Sequence, residues 1–445
     1  MKSTFLKGFI FLFFVFNALF TEGVFAQNTI VEPFILGDAL PDAPELSLRG
    51  TFKIGVQTLD LVNKNQIDIL KMKDGVEPMY DRPLKVEVWY PAVLPEGAKE
   101  SETYNEVLGL SSDRKRPNIP FTYMGRALRN AAPLKSDKPY PLIIVSHGYV
   151  GSRLLLSYLT ENLASKGYIV VAIDHTESTF ANAGGFPSTL LNRAKDVLFV
   201  LNQMAEFSTP LPKESGQVSK NFLSSIVDVE NTGLIGYSMG GYGVLNASGA
   251  GYSGKMDTFF TTITGGSKAI KSRLASNADY KASQDARIKA VVAFAPWGMQ
   301  RGVWDLDGLA GLKTPTFFVA GSQDDVSGYE DGIKAIYKGV VNADRYLLTY
   351  MNARHNVAPN APPAESMKAG LHFDEYYRYA EPAWNEKRIN NINQHFVTAF
   401  MGLHLQKKDY GKYLDVKETA SKELWTGFKP RSCVGLELLH AVPAK

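Results

Sequence analysis

The run Gly236-Tyr237-Ser238-Met239-Gly240, with Gly241 behind it, is where the sequence most plainly offers chemistry. A serine held between glycines at this spacing suits nucleophilic attack, provided the chain turns sharply enough to lift the hydroxyl off a sheet edge. The apolar stretch Gly233-Leu234-Ile235 leads into the turn and a helix-compatible segment, 242–247, leads out of it. Side chains at Gly236 or Gly240 would collide with the neighbouring strand and helix. A serine hydroxyl is a poor nucleophile until a base takes its proton, so a histidine and an orienting acid should follow, in the order serine, acid, histidine. The strand-like run 316–320 ends in Gly321-Ser322-Gln323-Asp324-Asp325, and the next, 346–351, ends in Asn352-Ala353-Arg354-His355. Ser238 is therefore expected as nucleophile, His355 as base and Asp324 as the acid. Asp325 competes with Asp324; the reading adopted gives Asp325 a loop-capping role.

Acyl transfer also needs donors for a developing oxyanion. The backbone N–H of Met239, just after the nucleophile, is one. The loop Ser146-His147-Gly148-Tyr149-Val150-Gly151 follows an earlier strand and should supply the second from the Tyr149 N–H. His147 is expected to hold this loop by hydrogen bonding rather than to move protons. His175 precedes the serine, the wrong order for the base, and reads as a polar loop residue above the sheet. His395 lies in the helical stretch 392–405 with Phe396 and Phe400 and reads as structural. Trp297 reads either as a wall of the substrate pocket or as a packed aromatic, and Arg193 with Asp196, three residues apart on a helix, as a surface ion pair. Nothing resembling His-Glu-x-x-His is present, so no metal and no cofactor are expected.

The elements that must carry these residues are short strands at 52–61, 84–90, 142–146, 169–174, 233–236, 288–295, 316–320 and 346–351. The middle ones, such as Leu142-Ile143-Ile144-Val145, are apolar on both faces, as strands covered on both sides are. Segments 154–166 and 189–204 have helical spacing. The fold class is α/β: a mostly parallel sheet of about eight strands with helices on both faces, preceded by an antiparallel portion. Residues 250–287 are longer than a crossover needs and read as a cap insertion or as surface decoration; 356–379 reads as a second part of that rim. Residues 408–445 form a C-terminal extension without a motif.

The chain has 445 residues, 45% hydrophobic and 21% charged, which excludes wholesale disorder. A net charge of +3 leaves no nucleic-acid footprint. The single cysteine, Cys433, forms neither an intramolecular disulfide nor a cysteine-rich metal site. Lys2 and Lys7 precede an apolar run at 9–20, and Val24 and Ala26 stand before Gln27, the pattern of a signal peptide over 1–26. That run is too short to span a bilayer of about 30 Å. The expected mature chain, 27–445, is one domain, exported to the periplasm or beyond, with no stable membrane anchor.

The segments Ser146-His147-Gly148-Tyr149, Asp174-His175-Thr176, Gly236-Tyr237-Ser238-Met239-Gly240-Gly241 and Gly321-Ser322-Gln323-Asp324-Asp325 resemble α/β-hydrolases. More narrowly, they are similar to bacterial predicted dienelactone hydrolases and platelet-activating-factor acetylhydrolases, over about residues 52–404. Residues 82–91 look like the opening strand region of that group. The resemblance implies a Ser238–Asp324–His355 triad, oxyanion donors at Tyr149 and Met239, and no cofactor. Polyester hydrolases of similar pattern also carry a tryptophan near Trp297. Well-characterised dienelactone hydrolases use a cysteine nucleophile, whereas this elbow carries Ser238. The implied activity is hydrolysis of a carboxylic ester, with a small-molecule, lipid or polyester ester as substrate. The same residues would serve an amide or thioester, and a non-catalytic binding protein on this scaffold is the reading from another class.

Overall fold

Strands apolar on both faces must be covered on both sides, and that requirement sets the architecture. The computed structural model describes residues 34–110, 113, 115–209, 222–419 and 424–443, so the leader expected at 1–26 lies outside the described residues. In chain order, β1 (Lys53–Ile67) and β2 (Met79–Val93) pair antiparallel, and β3 (Glu102–Leu108) and β4 (Ile119–Gly125) form a separate hairpin. The short β5 (Leu128–Arg129) and β6 (Ala132–Pro133) follow. Then come β7 (Tyr140–Ser146), α1 (Ser157–Ala164), β8 (Ile169–Asp174), α2 (Phe186–Ser208), β9 (Val227–Tyr237) and α3 (Met239–Ala247). The chain continues through α4 (Gly254–Ile263), α5 (Ala278–Ala282), β10 (Ile288–Phe294), α6 (Leu306–Ala310), β11 (Thr316–Gly321) and α7 (Lys334–Gly339). It ends with β12 (Arg345–Tyr350), α8 (Phe373–Tyr377), α9 (Glu386–Leu405) and β13 (Leu436–Ala441).

The main sheet has the order β13-β12-β11-β10-β9-β7-β8-β2-β1-β5, with β6 on β2. From β8 to β12 every pairing is parallel; β2 and β13 join antiparallel at either side. All eight expected strands are present, in the α/β arrangement expected. The hairpin β3–β4 and the edge strand β13 were not anticipated, because both are short and only partly buried; the hairpin turns Thr103, Asn105, Pro120, Thr122 and Met124 outward. The hairpin is tied in through Tyr104, whose hydroxyl accepts from the Trp89 indole at 2.7 Å and donates to Glu161 of α1 at 2.7 Å.

The strand order reverses between β7 and β9, which lie side by side although β8 and α2 separate them in sequence. In open parallel sheets such a switch opens a crevice beyond the carboxyl ends of the strands. Both the Ser146–Gly151 loop and the Ser238 turn leave the sheet there.

Residues Ile35–Lys445 form one compact unit. One flank of its sheet is covered by α9, which starts where the Asn385 side chain accepts from the Arg388 N–H at 3.1 Å. Phe396 packs on Phe317 of β11, Trp425 and Phe428, so the chain beyond residue 408 contributes both to this core and, through β13, to the sheet. His395 is buried as expected, and its Nδ1 accepts from the Leu46 N–H at 3.1 Å. Among the described residues, no helix is long and apolar enough to cross a membrane.

Phe396 has no exposed surface, and its site has three aromatic neighbours that cannot all collapse inward. Phe396→Ala should therefore cost about 3–5 kcal/mol of stability, read as a lower urea midpoint at unchanged slope. A loss below about 1 kcal/mol would contradict this packing.

Candidate active site

The elbow forms because β9 must turn directly into α3 against the end of β7. A Cβ on Gly240 would lie 1.9 Å from the Ser146 carbonyl oxygen, and one on Gly236 would lie 2.3 Å from the Gly240 carbonyl oxygen. Only glycine fits either place. Ser238 between them adopts φ 53° and ψ −114°, a conformation disfavoured for an L-residue. It is pinned on both sides: its N–H donates to Phe294 O at 2.9 Å, and its carbonyl accepts from the Trp297 N–H at 3.2 Å.

The loops after β11 and β12 bring the expected partners to this hydroxyl. His355 Nε2 lies 3.0 Å from Ser238 Oγ, and His355 Nδ1 lies 2.8 Å from Asp324 Oδ2. The other carboxylate oxygen, Oδ1, accepts from the N–H groups of Val326 and Ser327 at 2.9 and 2.8 Å. Burial pushes the Asp324 carboxyl up, but the His355 ring and these two N–H groups outweigh it and hold the group below its ordinary value. Asp324 is thus a fixed anion oriented at Nδ1, which leaves Nε2 facing the serine. Exposed Asp325 points elsewhere and pairs with half-buried Arg354, whose Nε lies 3.0 Å from Oδ1.

Glu381 was not anticipated by sequence reasoning. Its two oxygens accept from the N–H groups of Arg354 and Asn356, each at 2.6 Å, and so clamp the backbone on both sides of His355. Nothing in the sequence marks it, because it sits in a loop far from any motif.

A cleft of about 230 Å³ opens over this group, lined among others by Gly148, Tyr149, Ser238, His355, Tyr377 and Arg378. Met239 is the first residue of α3, where N–H groups have no acceptor within the helix. Gly148 lies across from Ser238: a Cβ there would be 3.4 Å from that of the serine. The rim comes from 356–379, through Asn356, Asp374, Tyr377 and Arg378, and no residue of 250–287 lines the cleft. Trp297 does not line it either; its half-buried ring stacks edge-on against Phe186, which in turn meets Tyr149.

Behind the Gly148 loop, the expectation for Arg193 and Asp196 is corrected. Both are buried and they do not pair with each other. Arg82 grips Asp196 with two bonds of 2.9 Å, and Asp196 Oδ2 also lies 2.9 Å from His175 Nδ1. His175 Nε2 lies 2.8 Å from Ser146 Oγ. His175 is therefore buried within this network rather than a loop residue above the sheet. Arg193 donates to the carbonyls of His147 and Gly148 and to Ser178 Oγ. The signal was present in the spacing: Leu190, Arg193, Ala194, Val197 and Leu201 share one face of α2, and that face is buried. Among the described residues, no cluster of three His, Cys, Asp or Glu side chains is arranged to hold a metal ion.

Comparison with known proteins agrees with this architecture. The family model described as platelet-activating factor acetylhydrolase, isoform II, matches residues 101–187. The chain is similar to cutinase est1 of Thermobifida alba, 23% identical over 51% of this chain and 56% of that protein. It is similar to the platelet-activating factor acetylhydrolase of Cavia porcellus, 29% identical over 30% of this chain and 29% of that one. Among solved structures, a ferulic acid esterase from Streptomyces cinnamoneus superposes with a TM-score of 0.52 at 20% identity, covering 82% of this chain and 94% of that one. The sheet order and the elbow are those of the α/β-hydrolase fold. The relatives it matches are named as cutinases and an acetylhydrolase, and the chain spans about half or less of the length of each.

The buried rings have a consequence for pH. Burial, followed by the charge of Arg193, lowers His175 to about 3, and burial with nearby Lys166 lowers His395 to about 3. These folded values lie below the 6.5 of an unfolded histidine, so the stability tied to each neutral ring is complete above about pH 6.5 and is lost as pH falls toward 3. At pH 5 each ring should cost about 2 kcal/mol. By NMR both rings should keep neutral-form shifts down to about pH 4; titration near 6.5 would contradict their burial.

Proposed function

We propose that the protein is an exported serine hydrolase that cleaves carboxylic esters through an acyl-enzyme at Ser238. The observation that carries this reading is the continuous hydrogen-bonded line from Ser238 Oγ through His355 to Asp324, opening on the cleft. Ser238 Oγ attacks the ester carbonyl while His355 Nε2 takes its proton. Asp324 keeps the Nδ1–H in place and stabilises the imidazolium that forms. The carbonyl oxygen, now an oxyanion, is received by the N–H groups of Met239 and Tyr149. His355 then protonates the departing alkoxide, and the alcohol leaves. Water, deprotonated by the same nitrogen, attacks the acyl carbon and releases the acid with Ser238 restored.

The similarity to proteins named as cutinases, acetylhydrolases and a ferulic acid esterase favours an ester over an amide or thioester. The cleft lies below the roughly 300–1,000 Å³ of sites that enclose drug-sized ligands. A small or partly protruding ester follows, with a short acyl group. Export rests on the basic start, the apolar run 9–20 and the small residues before Gln27.

Hydrolysis of p-nitrophenyl esters from acetate to decanoate tests the reading. Turnover should peak at short chains and fall by about 10⁴-fold or more in Ser238→Ala. Asp324→Asn should lose about 10³–10⁴-fold by freeing the wrong tautomer. Asp325→Asn, facing Arg354, should stay within about twofold, because an exposed ion pair contributes little. Undiminished turnover in Ser238→Ala would overturn the proposal.

A further inference from the structure

Arg193 is a fully buried cation that makes no ion pair with a carboxylate among the described residues, and its place in the fold calls for an explanation. Its two terminal nitrogens reach four oxygens. Nη1 donates to the His147 carbonyl and lies 3.4 Å from Ser146 Oγ; Nη2 donates to Gly148 O at 3.0 Å and to Ser178 Oγ at 2.5 Å. Three of these four belong to Ser146-His147-Gly148, the strand end and loop leading to Tyr149.

The Gly148 carbonyl matters most, because it belongs to the same planar peptide unit as the Tyr149 N–H. That unit is trans, so its C=O and N–H point in opposite directions. A donor that fixes the oxygen from behind aims the N–H forward, toward the cleft that Ser238 lines. The oxygen has two such donors. His147 Nδ1 lies 2.6 Å from Gly148 O, and its Nε2 accepts from the His175 N–H at 3.2 Å, which sets the His147 tautomer with the proton on Nδ1. Burial, with Arg193 and His175 adding to it, holds His147 well below its ordinary value, so the ring is neutral. The cationic donor is then Arg193 alone. Electron density drawn toward the Gly148 oxygen leaves the N–H across the same amide more positive, which strengthens it as a donor to an anion.

The elements around Arg193 hold it there. Asp196, one helical turn further along α2, is locked by Arg82 and by the His175–Ser146 pair. Ser146 is in turn the residue whose carbonyl meets Gly240 in the elbow. The buried Ser146–His175–Asp196 line has the spacing of a second triad, yet Ser146 is fully buried and is not among the cleft-lining residues. Its service is mechanical.

We propose that Arg193 is a positioning residue: by binding the Gly148 carbonyl it aims and polarises the Tyr149 N–H toward the oxyanion formed at Ser238. This inference rests on the ester-hydrolase reading and deepens it. A charge placed for this purpose acts on the transition state, where the oxyanion exists, more than on substrate binding.

The test uses p-nitrophenyl acetate with wild type, Arg193→Lys and Arg193→Met. Rates are expressed per Ser238 labelled to completion by a fluorophosphonate, so that unfolded protein is not counted. We expect kcat to fall about 10²-fold in both variants, as loss of one oxyanion donor does, with KM changed by less than about threefold. Lysine fails to rescue because a single ammonium cannot span the carbonyls of His147 and Gly148. A purely structural role would lower the melting temperature and leave kcat per labelled serine intact, and that result overturns the inference. If neither variant folds, His147→Phe removes the second donor to the same oxygen. A kcat about tenfold lower then supports the inference and an unchanged one overturns it. If Ser238→Ala itself retains turnover, the hydrolase reading fails first; if serine dependence holds while the Arg193 and His147 variants keep wild-type kcat, only this inference fails.

Discussion

The contact on which the rest of the molecule depends is the one between Gly240 and the end of β7. There is no room for even a methyl group between the Gly240 Cα and the Ser146 carbonyl. Bringing β9 and α3 that close forces Ser238 into its positive-φ conformation, which costs about 1–3 kcal/mol in isolation. The surroundings supply it: the Ser238 backbone is held by Phe294 and Trp297, and the strands on either side are buried on both faces. One close approach thereby fixes two things at once, the direction of the serine hydroxyl and its separation from the Gly148 loop. A looser elbow would release both.

Around that contact the protein arranges two hydrogen-bonded lines with different work. The line through His355 is open to the cleft, and Ser238 and His355 retain 7% and 8% exposure. Its acid is held anionic by two backbone N–H groups, and its histidine is gripped front and back by Glu381. The line through His175 is closed. Burial there drives the histidines neutral, whereas Asp196, which burial alone would raise, is brought down to about 2 by Arg82 and His175. Buried charges are tolerated only when fully bonded. Arg193 and Asp196 persist in the core because backbone carbonyls and an arginine fork satisfy them, and those same bonds hold the loop facing Ser238.

Much of this was legible in the sequence because the decisive features are local. Apolar runs such as Ile143–Val145 announce a covered parallel strand whatever surrounds them, and a glycine-flanked serine after such a strand has few conformations available. The order Ser238, Asp324, His355 followed from strand succession, whereas the loop-capping role read for Asp325 falls to Asp324, whose Oδ1 accepts from the Val326 and Ser327 N–H groups. Arg193 and Asp196 were read as a surface pair because i,i+3 spacing reports who is adjacent along a helix, and the inward-facing side had to be read from Leu190, Ala194 and Val197 as well. Glu381 left no trace, since a carboxylate that binds backbone N–H groups needs no partner side chain and no spacing. The rim was left open for a similar reason: 250–287 and 356–379 both look like insertions, and only the path of the chain after β12 brings the second over the serine.

The central claim is that Ser238 becomes covalently acylated, and the most direct measurement is to trap that species. Wild type mixed rapidly with p-nitrophenyl acetate and quenched in acid should carry an acetyl group on the peptide containing Ser238, formed with a burst of p-nitrophenol of about one equivalent per active site. In His355→Ala the adduct should not accumulate on that timescale. An adduct confined to another residue, with Ser238 unmodified while p-nitrophenol is released, would contradict the account.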